Sequence, residues 1–432
     1  MTPAVDLSAA ARAEQLNNVK LPTKRDEAWR YAPHRILGKL TFGPTAAPES
    51  VPEEIDRQLP DIDGPRVVLV NGVVDHERSN FTAVEGLQLV TLADAIAEQP
   101  ELVAPHFAPA GDPYADAFVA NNIAFGDDGA FIRIADDTTV ETPVHVVDIA
   151  IPGTDVNTSC AGVVIHIGDR SSAIVVETRI GAGEEFGGAN LRTSVVIGEQ
   201  ATLDHVILQD APATQVNLSR TEVTQATGSE FRSRSFNLGG SYGRFGYHIE
   251  LAGVGARADL SGLYFGLGSQ TLDQQITVVH GAEDCTSRQS FRGVLDDAST
   301  GVFSGGIDVR PGADGTDAEQ SNDNLVLSDR AEVNTQPRLE ILADDVACVH
   351  GATVGQLDES ALYYMRSRGI PGDEARRLLI NGFADQAVDE VPIAAVRQWI
   401  AERLGHDLDV APDTGGESVT AHDSVDVDLT DA

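Results

Sequence analysis

The chain has 432 residues, 42% of them hydrophobic, with 67 acidic against 30 basic side chains and a formal net charge of −37. That length supports a large core and two or three domains, while the charge repels nucleic-acid backbones and anionic membranes. Three cysteines far apart (Cys160, Cys285, Cys348) argue against a disulfide framework and for a reducing compartment. No apolar run approaches the ~18 residues of a membrane span, and the N-terminus has neither the basic flank nor the apolar stretch of a secretion signal. The expected location is the cytoplasm.

Residues 1–115 read as a mixed, mostly helical region. Ser8 caps a helix running to Leu16; Thr23, followed by Asp26 and Glu27, opens another that Pro33 ends. Residues 43–54 have the Pro, Ala and Glu content of a linker. Residues 67–75 form a hairpin, because Asn71-Gly72 suits a type I′ turn. Residues 92–106 return to helix, with a break at Pro100.

Over 116–350 the texture changes to short alternating runs. Ala256, Ala258, Leu260 and Tyr264 share one parity and Arg257, Asp259 and Ser261 the other; Phe303, Ile307 and Val309 repeat the pattern. Small or acidic turns at Asp136, Gly168, Gly198 and Gly228 are 32, 30 and 30 residues apart. Later ones at Asp296, Gly312, Ser328 and Asp344 recur every 16 residues, half that period. Regular strand–turn units without helices between them predict a solenoid, and a parallel β-helix fits best. A sandwich or barrel would need more Asn-Gly hairpin turns than follow Gly72.

Residues 351–406 read as helical. Asp358 caps a helix with Ala361, Leu362 and Met365 on one face, ended by Gly369. Pro371 precedes a second, with Ala375, Leu378, Leu379, Phe383, Ala384 and Ala387 in register. Pro392 opens a third through Ile393, Val396, Trp399, Ile400 and Leu404. Their apolar faces exceed what one solenoid end needs, so a cut after Gly355 is expected to leave the solenoid folded. Residues 407–432 are acidic and poor in apolar residues, which predicts disorder.

No P-loop, nucleophile elbow or His-Glu-x-x-His is present. The acidic pairs Asp136-Asp137, Asp296-Asp297 and Asp344-Asp345 have the composition of glycosidase carboxylates, but their place at repeat boundaries makes them turns, since Asp tolerates left-handed geometry. Gly253-Val-Gly-Ala is likewise a turn. His166 and His205 lie in strand-like runs and read as hydrogen-bonded core histidines. His280 and Cys285 flank a turn without the tight Cys-x-x-Cys spacing of a metal site. Cys348 and His350 are a soft, metal-capable pair in a Gly-rich bend that follows the strand-like run 339–342. On residues alone, Cys348 is equally a small core residue.

Long runs resemble the SufB/SufD family, the scaffold subunits of SUF iron–sulfur cluster assembly. They are His280-Gly-Ala-Glu-Asp-Cys-Thr-Ser-Arg-Gln-Ser-Phe-Arg-Gly-Val-Leu-Asp-Asp, Thr316-Asp-Ala-Glu-Gln-Ser-Asn, Leu327-Ser-Asp-Arg-Ala, residues 343–355 and the early Asp26-Glu-Ala-Trp-Arg-Tyr. His350-Gly351-Ala352 is similar to the SufD branch, where SufB usually carries an acidic residue in place of the glycine. The family's usual Cys-Ser-His is Cys348-Val349-His350 here. The resemblance implies a right-handed parallel β-helix between helical ends and no catalytic activity of the chain's own. It implies pairing with a SufB-like paralogue, C-terminal helices that hold a SufC-like ABC ATPase, and an indirect link to a cysteine desulfurase. It also implies a transient iron–sulfur cluster held at the subunit seam, with His350 as the matching ligand and Cys348 beside it. Reduced flavin on the complex is a further implication, without a visible flavin motif. The competing readings are a SufB-like homodimeric scaffold, a carbohydrate-active β-helix enzyme and a purely structural solenoid.

Overall fold

The computed structural model describes Arg12, Leu16 and residues 19–48, 50–107, 116–153 and 155–407. The helix expected after Ser8 and the tail expected over 407–432 lie outside the described residues, apart from Arg12, Leu16 and Asp407. Successive strands alternate between two sheets of ten and nine strands. From Gly129 onward each strand therefore pairs with those two before and two after it in sequence, where these lie within 129–355. Among the strands from Gly129 to Gly355 every such pairing is parallel. This is the expected β-solenoid. Ladder partners such as Tyr242 and Thr271, or Thr271 and Thr300, lie one coil apart, and the 16-residue spacing marks two corners per coil.

The turn signal has a physical origin. Asp137, Arg170, Gln200, Gly228, Gly255, Asp284 and Gly315 stack at one corner, all with φ between 54° and 74°. Each donates its N–H to a carbonyl of the next coil, those of Asp169, Glu199, Thr227, Val254, Glu283, Asp314 and Asp345, at 2.8–3.0 Å. Left-handed geometry turns the N–H along the solenoid axis and carries the ladder around the corner. Gly and Asp bear that geometry most cheaply.

At the N-terminal end the solenoid finishes in short antiparallel strands. Arg66–Val70 joins the larger sheet in parallel with Thr139–Ala150, and its hairpin partner Val73–Val74 runs antiparallel. Asn71 and Gly72 both have positive φ, as a type I′ turn requires. Leu87–Thr91 closes the other sheet, antiparallel to Gly129–Ile134. The helix expected after Thr23 shrinks to a single 3-10 turn, Glu27–Trp29. There the Asp26 carboxylate accepts the Thr23 N–H at 2.7 Å. Trp29 lies under the Arg244 guanidinium, 3.6 Å from its ring centre, and Arg244 pairs with buried Asp273 at 2.6 Å. The Asp-Glu-Ala-Trp-Arg-Tyr motif is thus a clasp onto the solenoid's flank. Two helices, α1 (Leu92–Glu98) and α2 (Ala117–Phe125), pack against the same sheet through Phe118, Ile123 and Leu92.

Helices α3 (Glu359–Ser367), α4 (Gly372–Val388) and α5 (Ala394–Asp407) follow the solenoid. The apolar faces of α4 and α5 are not surplus to the solenoid. The outer face of the larger sheet carries Val206, Leu208, Phe236, Leu263, Phe265 and Val294, and it is covered by Ile380, Ala384, Ala387, Val396, Trp399, Ile400 and Leu404. Helix α4 turns Ile380 inward and leaves Leu378 exposed. Arg234–Glu390 at 3.0 Å and Arg403–Asp210 at 2.7 Å fasten the two helices down. Helices α4 and α5 belong to the folding unit, so a cut after Gly355 strips cover from the solenoid. Only α3 buries no residue, with Tyr363 76% and Tyr364 58% exposed. Among the described residues no helix is long and apolar enough to cross a membrane.

Candidate functional site

Both sheets end without a further partner, at Glu332–Ile341 and at Val346–Gly355. The second segment, expected as a Gly-rich bend, is a full strand in register with Thr316–Val326. Val346, Val349, Thr353 and Val354 supply its β-branched content, and Gly351 sits mid-strand opposite Ser321. Cys348 and His350 are two residues apart and therefore share one face. That face is the lumenal one. Their ladder partners Ala318 and Gln320 are buried and alternate with the outward-pointing Asp317 and Glu319.

The register extends through the molecule. One inward column runs Ala173, Leu203, Phe231, Ala258, Ser287, Ala318, Cys348. The next runs Val175, His205, Ser233, Leu260, Gln289, Gln320, His350. Cys348 and His350 thus cap two interior columns at the open end. Cys348 is half-buried against Ala318, Val346 and Ile307. Burial, with the charge of Asp317 second, pushes its thiol pKa up. It rests as a thiol, and binding a metal ion would displace the proton. His350 is exposed. Thiol and imidazole are borderline-soft ligands suited to iron. Among the described residues no three or more His, Cys, Asp and Glu are grouped to hold a metal ion.

The other candidates fall elsewhere. His205 is buried, its Nε2 2.8 Å from Glu177 Oε1. Burial would raise the Glu177 pKa, but the Arg179 charge and the His205 hydrogen bond outweigh it and hold it at about 2. His166 lies half-buried on an outer face against the Leu102 carbonyl at 3.1 Å. His280 bonds Ser287 Oγ at 2.9 Å, and burial lowers its pKa to about 4. Cys285 is buried, its thiol directed at the Gly253 carbonyl at 3.3 Å. In the His280–Asp297 motif, Asp284 and Asp297 are left-handed turn residues. Arg288 bridges outward to Asp317 at 2.7 Å, and Arg292 seats α4 by stacking on Phe383.

Sequence reasoning missed the apolar rim of the open end. Ile341, Leu342, Val349 and Val354 are all exposed, Val349 at 61%. Four uncovered aliphatic side chains beside two unpaired strand edges are what a docked partner buries. The available signal was Val349 itself, apolar where the family pattern is a hydroxyl.

A β-solenoid flanked by helices, with a thiol and an imidazole sharing the lumenal face of its last strand and no fused catalytic motif in view, has the make-up of a scaffold class of protein. Comparison with known proteins agrees. Residues 150–383 match the family model "SUF system FeS cluster assembly, SufBD core domain", and residues 5–146 match "SufBD protein N-terminal region". The chain belongs to the SufBD family of iron–sulfur cluster assembly proteins. It is 27% identical over 402 residues to the iron–sulfur cluster assembly protein SufD of Escherichia coli, covering 93% of this chain and 92% of the relative. It is 28% identical over 397 residues to a SufBD family protein of Synechocystis, covering 89% and 87%. With SufD of Bacillus subtilis it shares 28% identity over 321 residues, covering 73% and 72%.

Proposed function

We propose that this chain is the SufD-like, non-catalytic subunit of a cluster-assembly complex in the cytoplasm. It pairs through its open solenoid end with a SufB-like paralogue and carries a SufC-like ABC ATPase on its C-terminal helices. The nascent iron–sulfur cluster is the cargo, with His350 as the chief ligand from this chain and Cys348 the second. One observation carries the reading. The strand bearing both residues is the last of its sheet, with an unpaired edge and an apolar rim. A second solenoid end can extend both sheets there by strand addition. It would then supply the remaining ligands, and an incomplete mixed shell releases its cluster more readily than four thiolates. Sulfur reaches the complex indirectly from a cysteine desulfurase. Reduced flavin on the complex is the further cofactor that the family resemblance implies.

The test is His350→Ala in the complex co-expressed with both partners. Iron and sulfide per folded complex should fall several-fold, with complex yield unchanged, because an exposed ring contributes little to folding. An unchanged ratio would sink the ligand role.

A further inference from the structure

At the open end the lumen turns polar in a specific way. Gln289 and Gln320 are each 2% exposed. Gln320 Nε2 donates to Gln289 Oε1 at 2.9 Å, whereas Gln320 Oε1 and Gln289 Nε2 have no partner. Gly305 on the facing sheet makes room for the amide: a Cβ there would lie 1.6 Å from Gln320 Nε2. Strand, hydrogen bond and glycine niche together hold one amide in one place. A buried carbonyl oxygen left unpaired is unfavourable, and this one lies a single ladder step from the last strand.

The next residue up the ladder from Gln320 is His350, on the same lumenal face. Adjacent strands lie ~4.8 Å apart, so the two side chains are neighbours one ladder step apart, and an inward turn of the imidazole would bring it to the Gln320 amide. In the neighbouring columns the residues behind Cys348 are Ala318 and Ser287, and Asn322, behind Ala352, is engaged with Tyr264, Phe291 and Asn324, so Gln320 carries the unpartnered acceptor behind the ring. A metal-binding histidine uses one nitrogen for the metal, and the acceptor on its other N–H decides which one.

We propose that Gln320 is a positioning residue of the cluster site: its side-chain carbonyl, anchored by Gln289 and lodged against Gly305, accepts the N–H of the His350 ring and leaves the other ring nitrogen as the iron-binding lone pair. This rests on the reading of His350 as a ligand. It assigns Gln320 no contact with the cluster.

The test uses the full-length chain with 15N-labelled histidine rings, the His350 signals being those lost in His350→Ala. The native chain should show a single His350 tautomer. Gln320→Met, of similar shape but without the carbonyl, should average the two tautomers. Gln320→Glu, which keeps an acceptor, should restore one. In the co-expressed complex at limiting iron, Gln320→Met should lower bound iron about tenfold, the scale of lost outer-shell partners, and Gln320→Glu should recover it. An averaged ring in the native chain, or a single tautomer persisting in Gln320→Met, overturns the proposal. So does iron loss in Gln320→Met with an unchanged tautomer, which makes Gln320 a packing residue only. Failure of the ligand reading is seen separately, as unchanged iron in His350→Ala whatever the Gln320 variants do.

Discussion

Gly305→Ala tests the lumen directly. The new methyl would sit 1.6 Å from Gln320 Nε2 and 2.9 Å from Phe303 Cε1, so the Gln320 amide must swing away and lose its 2.9 Å bond to Gln289. An amide stranded in the interior costs about 1–3 kcal/mol, and residual overpacking adds about 1–3 kcal/mol. Because Gly305 has no positive φ, alanine fits the backbone and returns about 0.4–1 kcal/mol by restricting the unfolded chain. The net expectation is a loss of about 1–5 kcal/mol. Urea unfolding of the full chain, followed by circular dichroism, measures it. The decisive arm is the double variant. Once Gln320→Ala has emptied the niche, Gly305→Ala should become neutral or stabilising by about 0.5 kcal/mol. Additivity of the two substitutions to within about 0.5 kcal/mol would refute the claim that Gly305 exists to house Gln320.

Glu177 is fully buried and its pKa is held at about 2 against an ordinary 4.5. A depressed carboxyl stabilises the fold above its unfolded pKa and loses that contribution as pH falls through the folded one. Glu177→Gln should therefore cost about 3 kcal/mol near neutrality, a penalty that shrinks between pH 4.5 and 2; urea midpoints showing the same penalty across that range would contradict it. On α3, Tyr363→Ala combined with Tyr364→Ala should cut retention of a co-expressed SufC-like ATPase more than tenfold, as loss of aromatic anchors does. Its melting temperature should stay unchanged, because α3 buries nothing. Full retention of the ATPase would move the docking site off this helix.

The solenoid was legible because its corners impose a chemical demand. A left-handed residue recurs every coil, and Asp137, Gly228, Gly255, Asp284 and Gly315 answer it with the residue types that bear that geometry. Arg170 and Gln200 fill the same positions without advertising them. The strand Val346–Gly355 was misread because its evidence is non-local. Gly351 and Gly355 look like a bend until Ser321 and Leu325 stand beside them. The helices α4 and α5 showed their apolar stripes plainly, but not what they cover, since the matching stripe is spread over strands from Val176 to Leu325. Gln289 and Gln320 break the alternation rule by placing polar groups at inward positions. Only the coil register, which sets them behind His350, gives that violation a meaning.

The two ends of the solenoid have unequal valence. The beginning ends in short antiparallel strands, Val73–Val74 and Leu87–Thr91, while the finish leaves the edges of two ten-residue strands unpaired. A rod that is adhesive at both ends polymerises. A rod adhesive at one end stops growing after a single joining event, tail to tail. The short strands within residues 66–91 would offer little edge to a second such contact, so the proposed assembly would favour a pair. In such a pair the two tails, each bearing whatever its last strand carries, must face each other across one seam.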